Sequence, residues 1–343
     1  MFLQQFSGCA RFNRFANGQN IRMMSTVIGG SGRSYVMRQV LSYGGHDQIP
    51  IIFKAESQHE SFIVKRVPRT FYDLSLRLAA EFASSRRLRM HIDCNLEESV
   101  LIYPYYRSTL LSLIQDDDSE DSLPITERKK ILRGTGEAIQ ELHTRGWIHC
   151  DVKPDNVLVN WTCNAQGVKS VIDVALGDFD IAYKLQGELQ RQTPHAIGNA
   201  MWRSPEGQTG ISSKASDVFS FGLVCLYVLG AGDLLLIKDY REVTKSGHTA
   251  EQEILTRHFS YFGPAPKELF EQISDEHWRH ALAGASAIAE NEVKQQPGLR
   301  SVHWTAELGH EAQDMLSGMT DLNPTSRVPI EKVVKHRWLQ ETT

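Results

Sequence analysis

The segment His149-Cys150-Asp151-Val152-Lys153-Pro154-Asp155-Asn156 sets carboxylates, a lysine and a carboxamide within a few residues, just ahead of the apolar run Val157-Leu158-Val159. Phosphoryl transfer to a hydroxyl needs such a set: a carboxylate to orient the attacking group and accept its proton, a cation near the moving phosphoryl, and an oxygen ligand for a metal ion. Asp151, Lys153 and Asn156 have those types in that order. Farther on, Leu176-Gly177-Asp178-Phe179-Asp180 places another carboxylate beside a bulky aromatic at the end of an apolar run that starts at Val171. No paired Cys-x-x-Cys spacing and no His-x-x-x-His pair competes with this chemistry.

The first segment resembles the catalytic loop of eukaryotic protein kinases, in the D-x-K-P-x-N form typical of serine/threonine kinases, and the second resembles their D-F-G motif. The resemblance implies Asp151 as catalytic base, Lys153 as the phosphate-contacting cation, and Asn156 and Asp178 as magnesium ligands. Ser204-Pro205-Glu206 is similar to A-P-E, and Ser216-Asp217-Val218-Phe219 to the buried helix that anchors the catalytic loop. Asp321-Leu322-Asn323-Pro324-Thr325-Ser326-Arg327 resembles the element whose arginine pairs with the A-P-E glutamate, so Glu206 and Arg327 are expected to form a buried ion pair.

Upstream, Phe62-Ile63-Val64-Lys65 looks like the strand carrying the α/β-phosphate lysine. Its expected partner is Glu81, with Asp73 as the alternative. Leu101-Ile102-Tyr103-Pro104-Tyr105-Tyr106 resembles the hinge, with Tyr103 as gatekeeper. By the same resemblance ATP is expected to meet Lys65, Glu81, Gly45, Ile52, Ile63, Tyr103, Tyr105, Tyr106 and Leu158, with Mg2+ as cofactor.

The elements that must position these groups are legible as patterns. Short alternating runs at Tyr35–Leu41, Ile49–Ala55, Ser61–Lys65 and Val100–Tyr103 read as strands, and apolar residues at Leu74, Leu78, Phe82 and Leu88 read as a helix. Helical patterns return at Glu127–His143 and dominate from Ala215 onward. The fold class expected is α+β: a two-lobed, protein kinase-like fold with a small antiparallel-sheet lobe carrying one main helix and a larger, mostly helical lobe. The kinase domain is expected over 35–339, with a first lobe over 35–103, a hinge over 104–106 and a second lobe over 107–339.

The 343 residues suit one two-lobed unit, and a net charge of −4 gives no field to attract nucleic acid or an anionic membrane. The resemblance implies ATP and a protein substrate as partners. Five scattered cysteines suit a reducing compartment, and the apolar stretch Phe219–Gly230 is too short to span a bilayer. The first 46 residues carry arginines but no Asp or Glu. This is the pattern of a mitochondrial presequence, against a disordered tail or an extension upstream of Met23 or Met24. Residues 1–34 are thus read as a disordered extension, and the location as cytoplasmic, with mitochondrial as the alternative.

Departures from the family pattern concentrate in the phosphate cradle and the switch. Two registers compete for the glycine-rich loop: Gly30-Ser31-Gly32, which lies far upstream of Lys65, and Gly44-Gly45-His46-Asp47, where Asp47 and Pro50 stand at glycine positions. The second removes amides free to wrap phosphates and adds a negative charge near them. Cys150 replaces the arginine that commonly clamps a phosphorylated activation loop, and Asp180 replaces the last glycine of D-F-G. The side chains expected at phosphates, metal and hydroxyl survive, which favours an active serine/threonine kinase over a pseudokinase scaffold.

Overall fold

The computed structural model describes residues 25–44, 49–115, 123–237 and 249–341, and all structural statements concern these. The chain divides into two compact units: one takes the chain up to Ser84 together with Arg89–Tyr105, the other takes Ser85–Leu88 and everything from Tyr106. The dividing point Tyr105/Tyr106 falls inside the expected hinge. Segment 85–88, expected in the first lobe, belongs to the second unit because Leu88 bridges to Leu176 and the Arg87 carbonyl accepts from Leu176 N at 2.8 Å.

The first unit is a six-stranded antiparallel sheet built from β1 (Thr26–Ile28), β2 (Ser34–Gly44), β3 (Ile49–Ser57), β4 (Glu60–Arg66), β5 (Asp93–Asn95) and β6 (Val100–Pro104), in the order β1-β2-β3-β4-β6-β5. Strand alternation sorts its side chains: Val27, Tyr35, Phe53, Phe62, Val64 and Ile102 fill one face, while Leu101 on the other packs with Val67 and Tyr72 against helix α1 (Arg69–Glu81). Helix α1 stops before Leu88, which the apolar spacing had assigned to it. Strand β1 corrects the expected disorder of residues 25–34: Val27 is 1 % exposed, and the strand pairs with β2 in the register Val27↔Tyr35. It also ties the sheet edges together, since Gly30 N donates to Cys94 O at 2.7 Å and Asn95 Nδ2 to Ile28 O at 2.8 Å.

The second unit holds β7 (Ser108–Thr109), α2 (Leu110–Gln115), α3 (Ile125–Thr144), β8 (Trp147–Ile148), β9 (Val157–Cys163), β10 (Lys169–Leu176), β11 (Tyr183–Lys184), β12 (Gln190–Gln192), α4 (Pro205–Gln208), β13 (Ile211–Ser213) and α5 (Lys214–Leu226). Helices Ala250–Phe262, Glu276–Gln295 and His310–Met319 follow. Helix α5 starts at a capping box between Ser213 and Ser216, and every residue from Ser216 to Leu226 is buried. A helix apolar on all sides is a core helix in a globular unit. The window Lys214–Ala231 is long and apolar enough to cross a membrane by composition alone, yet it is mostly buried within the protein.

His258 packs against the Phe219 ring at 5.2 Å, and its Nδ1 has no hydrogen-bond partner. Burial holds its imidazole down at about 3. The folded value lies below the unfolded one of about 6.5, so this contribution to stability is present above pH 6.5 and lost as pH falls below it. Between pH 7 and pH 5 the loss is about 2 kcal/mol by linkage. A His258→Phe variant is expected to show a flatter fall in its urea midpoint over that range. Parallel falls in variant and parent would contradict the assignment.

Candidate active site

One carboxylate organises the candidate catalytic loop. Asp217, 2 % exposed on the first turns of α5, accepts from His149 N at 2.8 Å and from Cys150 N at 2.9 Å, and lies 3.0 Å from His143 Nε2. These contacts hold Cys150 at a φ of 66°, a left-handed conformation that costs a non-glycine residue about 1–2 kcal/mol. The buried His149 ring packs on Phe179 with centroids 5.1 Å apart, and its Nε2 lies 3.1 Å from Gly177 O. The loop and the Asp178 segment are therefore anchored to each other and to α5.

Within this frame the Asp151 carboxylate receives three donors. Lys153 Nζ reaches Oδ2 at 2.7 Å, Asn156 Nδ2 reaches the same oxygen at 3.2 Å, and Asn199 N donates to Oδ1 at 2.8 Å. Burial alone would lower the Lys153 ammonium pKa, but Asp151, Asp155 and Asp178 outweigh it and push the pKa up, keeping the cation charged. Asn156 Nδ2 also donates to Asp151 O at 2.8 Å, which leaves Oδ1 of that amide as its acceptor face. Asp178 is exposed at a φ of 64°, and Gly177 N, just before it, donates to Asn156 O at 2.9 Å. An amide oxygen and a solvent-facing carboxylate, joined by that backbone bond, are hard donors. They fit a divalent cation that takes one or two protein oxygens and completes its shell with phosphate and water.

The segment after Asp178 is held by contacts that the sequence patterns did not signal. Arg203 Nε donates to Ile197 O at 2.7 Å, its Nη1 reaches Gln208 Oε1 at 3.1 Å, and its Nη2 bonds Gly198 O. These bonds fix the turn that delivers Asn199 N to Asp151. Strands β12 and β13 pair, and Thr193 Oγ1 lies 2.7 Å from His195 O and 3.0 Å from Gly210 O. Arg191 on β12 stacks over Tyr183 at 4.6 Å. Burial pushes the nearby Cys150 thiol pKa up, so it remains a neutral thiol.

Gly198 has a φ of 79°, and a Cβ there would lie 2.4 Å from Cys150 O. Gly198→Ala is therefore expected to shift the turn by the order of 1 Å, which costs about 10²-fold in rate at a positioned catalytic group. Steady-state kinetics beside thermal melting would check this, with kcat falling far more than the melting temperature suggests.

In the first unit Lys65 and Ile63 lie on the same face of β4, opposite the buried Phe62 and Val64; Lys65 pairs across with Ile52 and Leu101, and Ile63 with Tyr103. Glu81 is the half-buried last residue of α1. Asp73 is exposed and pairs with Arg69 at 3.0 Å. Tyr103 packs under Arg89 at 5.0 Å, and Tyr105 under Lys54 Nζ at 4.4 Å. In the second unit Tyr106 donates its hydroxyl to Asp173 at 2.9 Å, and Leu158, on the less buried face of β9, pairs with Ala175.

Gly45 lies outside the described residues; the flanking strands β2 and β3 pair as far as Gly44↔Ile49, and β3 is followed by the Lys65 strand. The other register is spent on an internal anion. Asp93 accepts from Ser31 N at 3.2 Å, Ser31 Oγ at 2.5 Å and Tyr35 Oη at 3.0 Å. Burial would raise the Asp93 pKa, yet these donors hold it below the usual carboxylate range.

A family model for the protein kinase domain matches residues 90–339. This chain belongs to the protein kinase domain family. The kinase is 33 % identical over 136 residues to the L-type lectin-domain containing receptor kinase SIT2 of Oryza sativa subsp. japonica, covering 38 % of this chain and 19 % of that protein. It is 29 % identical over 208 residues to the probable L-type lectin-domain containing receptor kinase VII.2 of Arabidopsis thaliana, covering 55 % and 28 %. The sensor for unfolded proteins in the ER ire1 of Schizosaccharomyces pombe is 24 % identical over 225 residues, covering 57 % and 21 %. The kinase thus spans less than a third of the length of these relatives. Its fold is similar to a chain in the crystal structure of the yeast RNA Pol II CTD kinase CTDK-1 complex, with a TM-score of 0.66, 13 % identity, and coverage of 96 % and 97 %. A kinase fold and kinase relatives support phosphotransfer from ATP with a divalent metal.

Proposed function

We propose that this kinase is catalytically active and transfers the γ-phosphoryl group of ATP to serine or threonine hydroxyls of a protein. The observation that carries the proposal is the Asp151 carboxylate, held and aimed by Lys153, Asn156 and Asn199 N. A carboxylate fixed in this way orients an incoming hydroxyl and takes its proton as the oxygen–phosphorus bond forms. Lys153, kept charged, offsets the negative charge gathering on the transferred group. Magnesium, held by Asn156 and Asp178, would neutralise phosphate charge when bound. In the first unit, Lys65 with Glu81 is assigned to the α- and β-phosphates, and Ile52, Ile63, Tyr103 and Tyr105 to the adenine.

The lysine two positions after the base supports serine or threonine as acceptor. The test is phosphoamino-acid analysis of mixed basic and acidic carrier proteins incubated with the kinase and labelled magnesium-ATP. Phosphoserine or phosphothreonine bears the proposal out, and phosphotyrosine alone overturns the acceptor assignment. A pseudokinase scaffold would label nothing beyond the Asp151→Asn background.

A further inference from the structure

The second unit contains a separate cavity of about 260 Å³ between α3 and β10, away from the groups assigned to phosphotransfer. Helix and strand come close where Gly134 faces Val174, a Cβ there lying 3.0 Å from the valine Cβ, and the cavity opens beside this contact.

Its lining carries three cations, Arg87, Lys130 and Arg133, against the two carboxylates Glu137 and Asp173. Arg87 Nε pairs with Glu137 Oε2 at 2.7 Å, which uses the carboxylate that α3 contributes. Asp173 also lines the cavity, but its Oδ2 accepts from Tyr106 and its Oδ1 from Val174 N, each at 2.9 Å. Lys130 is half-exposed and bonds Glu127, whose other oxygen is held by Val171 N at 2.6 Å. Arg133, half-buried in the wall, makes no hydrogen bond or ion pair among the described residues. A half-buried guanidinium whose five donors are unused among the described residues, beside a second cation, suits a carboxylate or phosphate.

The rim adds an apolar element. Strand β10 is the edge of its three-stranded sheet, its register shifts between Val171 and Asp173, and the intervening Ile172 is 66 % exposed. An exposed isoleucine at an edge-strand bulge suits an extended peptide rather than a free ion.

We propose that this pocket is a docking site for an acidic segment of a protein partner, with a carboxylate on Arg133 and Lys130 and an aliphatic side chain on Ile172. The position gives docking a route to the chemistry. Strand β10 runs directly into Gly177 and Asp178, and Arg87 holds its end through Leu176 N.

The test is fluorescence anisotropy with a fluorescein-labelled peptide of glutamates around a central leucine, titrated with the full chain. Arg133→Glu is expected to weaken binding by roughly tenfold or more, the worth of a charge-assisted hydrogen bond turned to repulsion. Lys130→Glu, at the exposed rim, should weaken it in the same direction, with thermal melting run beside it because Lys130 also bonds the buried Glu127. Asp151→Asn should bind as the parent does, so the result is read independently of kinase activity. The proposal is overturned by no saturable binding, by equal binding of the glutamine version of the peptide, or by charge-reversal variants that bind within about twofold of the parent. Displacement of the peptide by millimolar inorganic phosphate would also overturn it, marking a small-anion site instead.

Discussion

Asp151→Asn is expected to lower kcat by roughly 10²- to 10⁴-fold, the range associated with loss of a positioned general base. The substitution keeps shape and removes charge. Of the three donors on the carboxylate, Asn199 N and Lys153 Nζ approach different oxygens, so an amide must turn its NH2 toward one of them. Local mismatch follows, but the loop stays anchored through Asp217, which does not touch the Asp151 side chain. Melting temperature and magnesium-ATP affinity should therefore change little while turnover collapses. Measuring kcat, KM and nucleotide affinity on one preparation separates loss of chemistry from loss of fold.

The second large effect is on stability. Arg327 Nη1 donates to Glu206 Oε1 at 2.7 Å and Nη2 to Oε2 at 3.3 Å, and both side chains are fully buried. Arg327 also donates to Ala215 O and Asp321 O, each at 2.9 Å, while Ser216 Oγ supports Glu206 Oε1 at 3.1 Å. Removing either partner strands a buried charge, and such losses run to about 3–5 kcal/mol. Arg327→Met alone should show that loss in urea unfolding, whereas adding Glu206→Leu should recover much of it. All six tryptophans, from Trp147 to Trp338, lie in the second unit, so intrinsic fluorescence reports this unit alone.

The same pair gives an acid limb. Burial would raise the Glu206 pKa, but Arg327 outweighs it and holds the carboxyl below its ordinary value. Its folded pKa is depressed, so the contribution is complete above the unfolded value of about 4.3 and is lost as pH falls through the folded one. This lies below the window set by His258.

The candidate catalytic loop was legible because its chemistry is contiguous: Asp151, Lys153 and Asn156 sit within six residues and need no distant partner to be recognised by type. Asp217 and the Glu206–Arg327 pair were legible only through family resemblance, since nothing local says that residues 121 positions apart share a buried bond. Strand β1 was missed because the acid-free composition around it drew attention from the β-branched triplet Thr26-Val27-Ile28. The Gly30-Ser31-Gly32 turn invited a phosphate-loop reading, and only the structure shows its donors spent on Asp93, 62 residues away. Arg203 carried a single cue, its place directly before Ser204-Pro205-Glu206. Its value lies in the carbonyls it reaches, which no periodicity encodes.

The central claim is that the Asp151 constellation performs phosphotransfer, and the most direct measurement is incorporation of γ-labelled phosphate into carrier protein by the purified kinase, with and without magnesium. Magnesium-dependent incorporation that disappears in both Asp151→Asn and Asp178→Ala is the result the account predicts. A well-folded parent protein that incorporates no more label than either variant would contradict it.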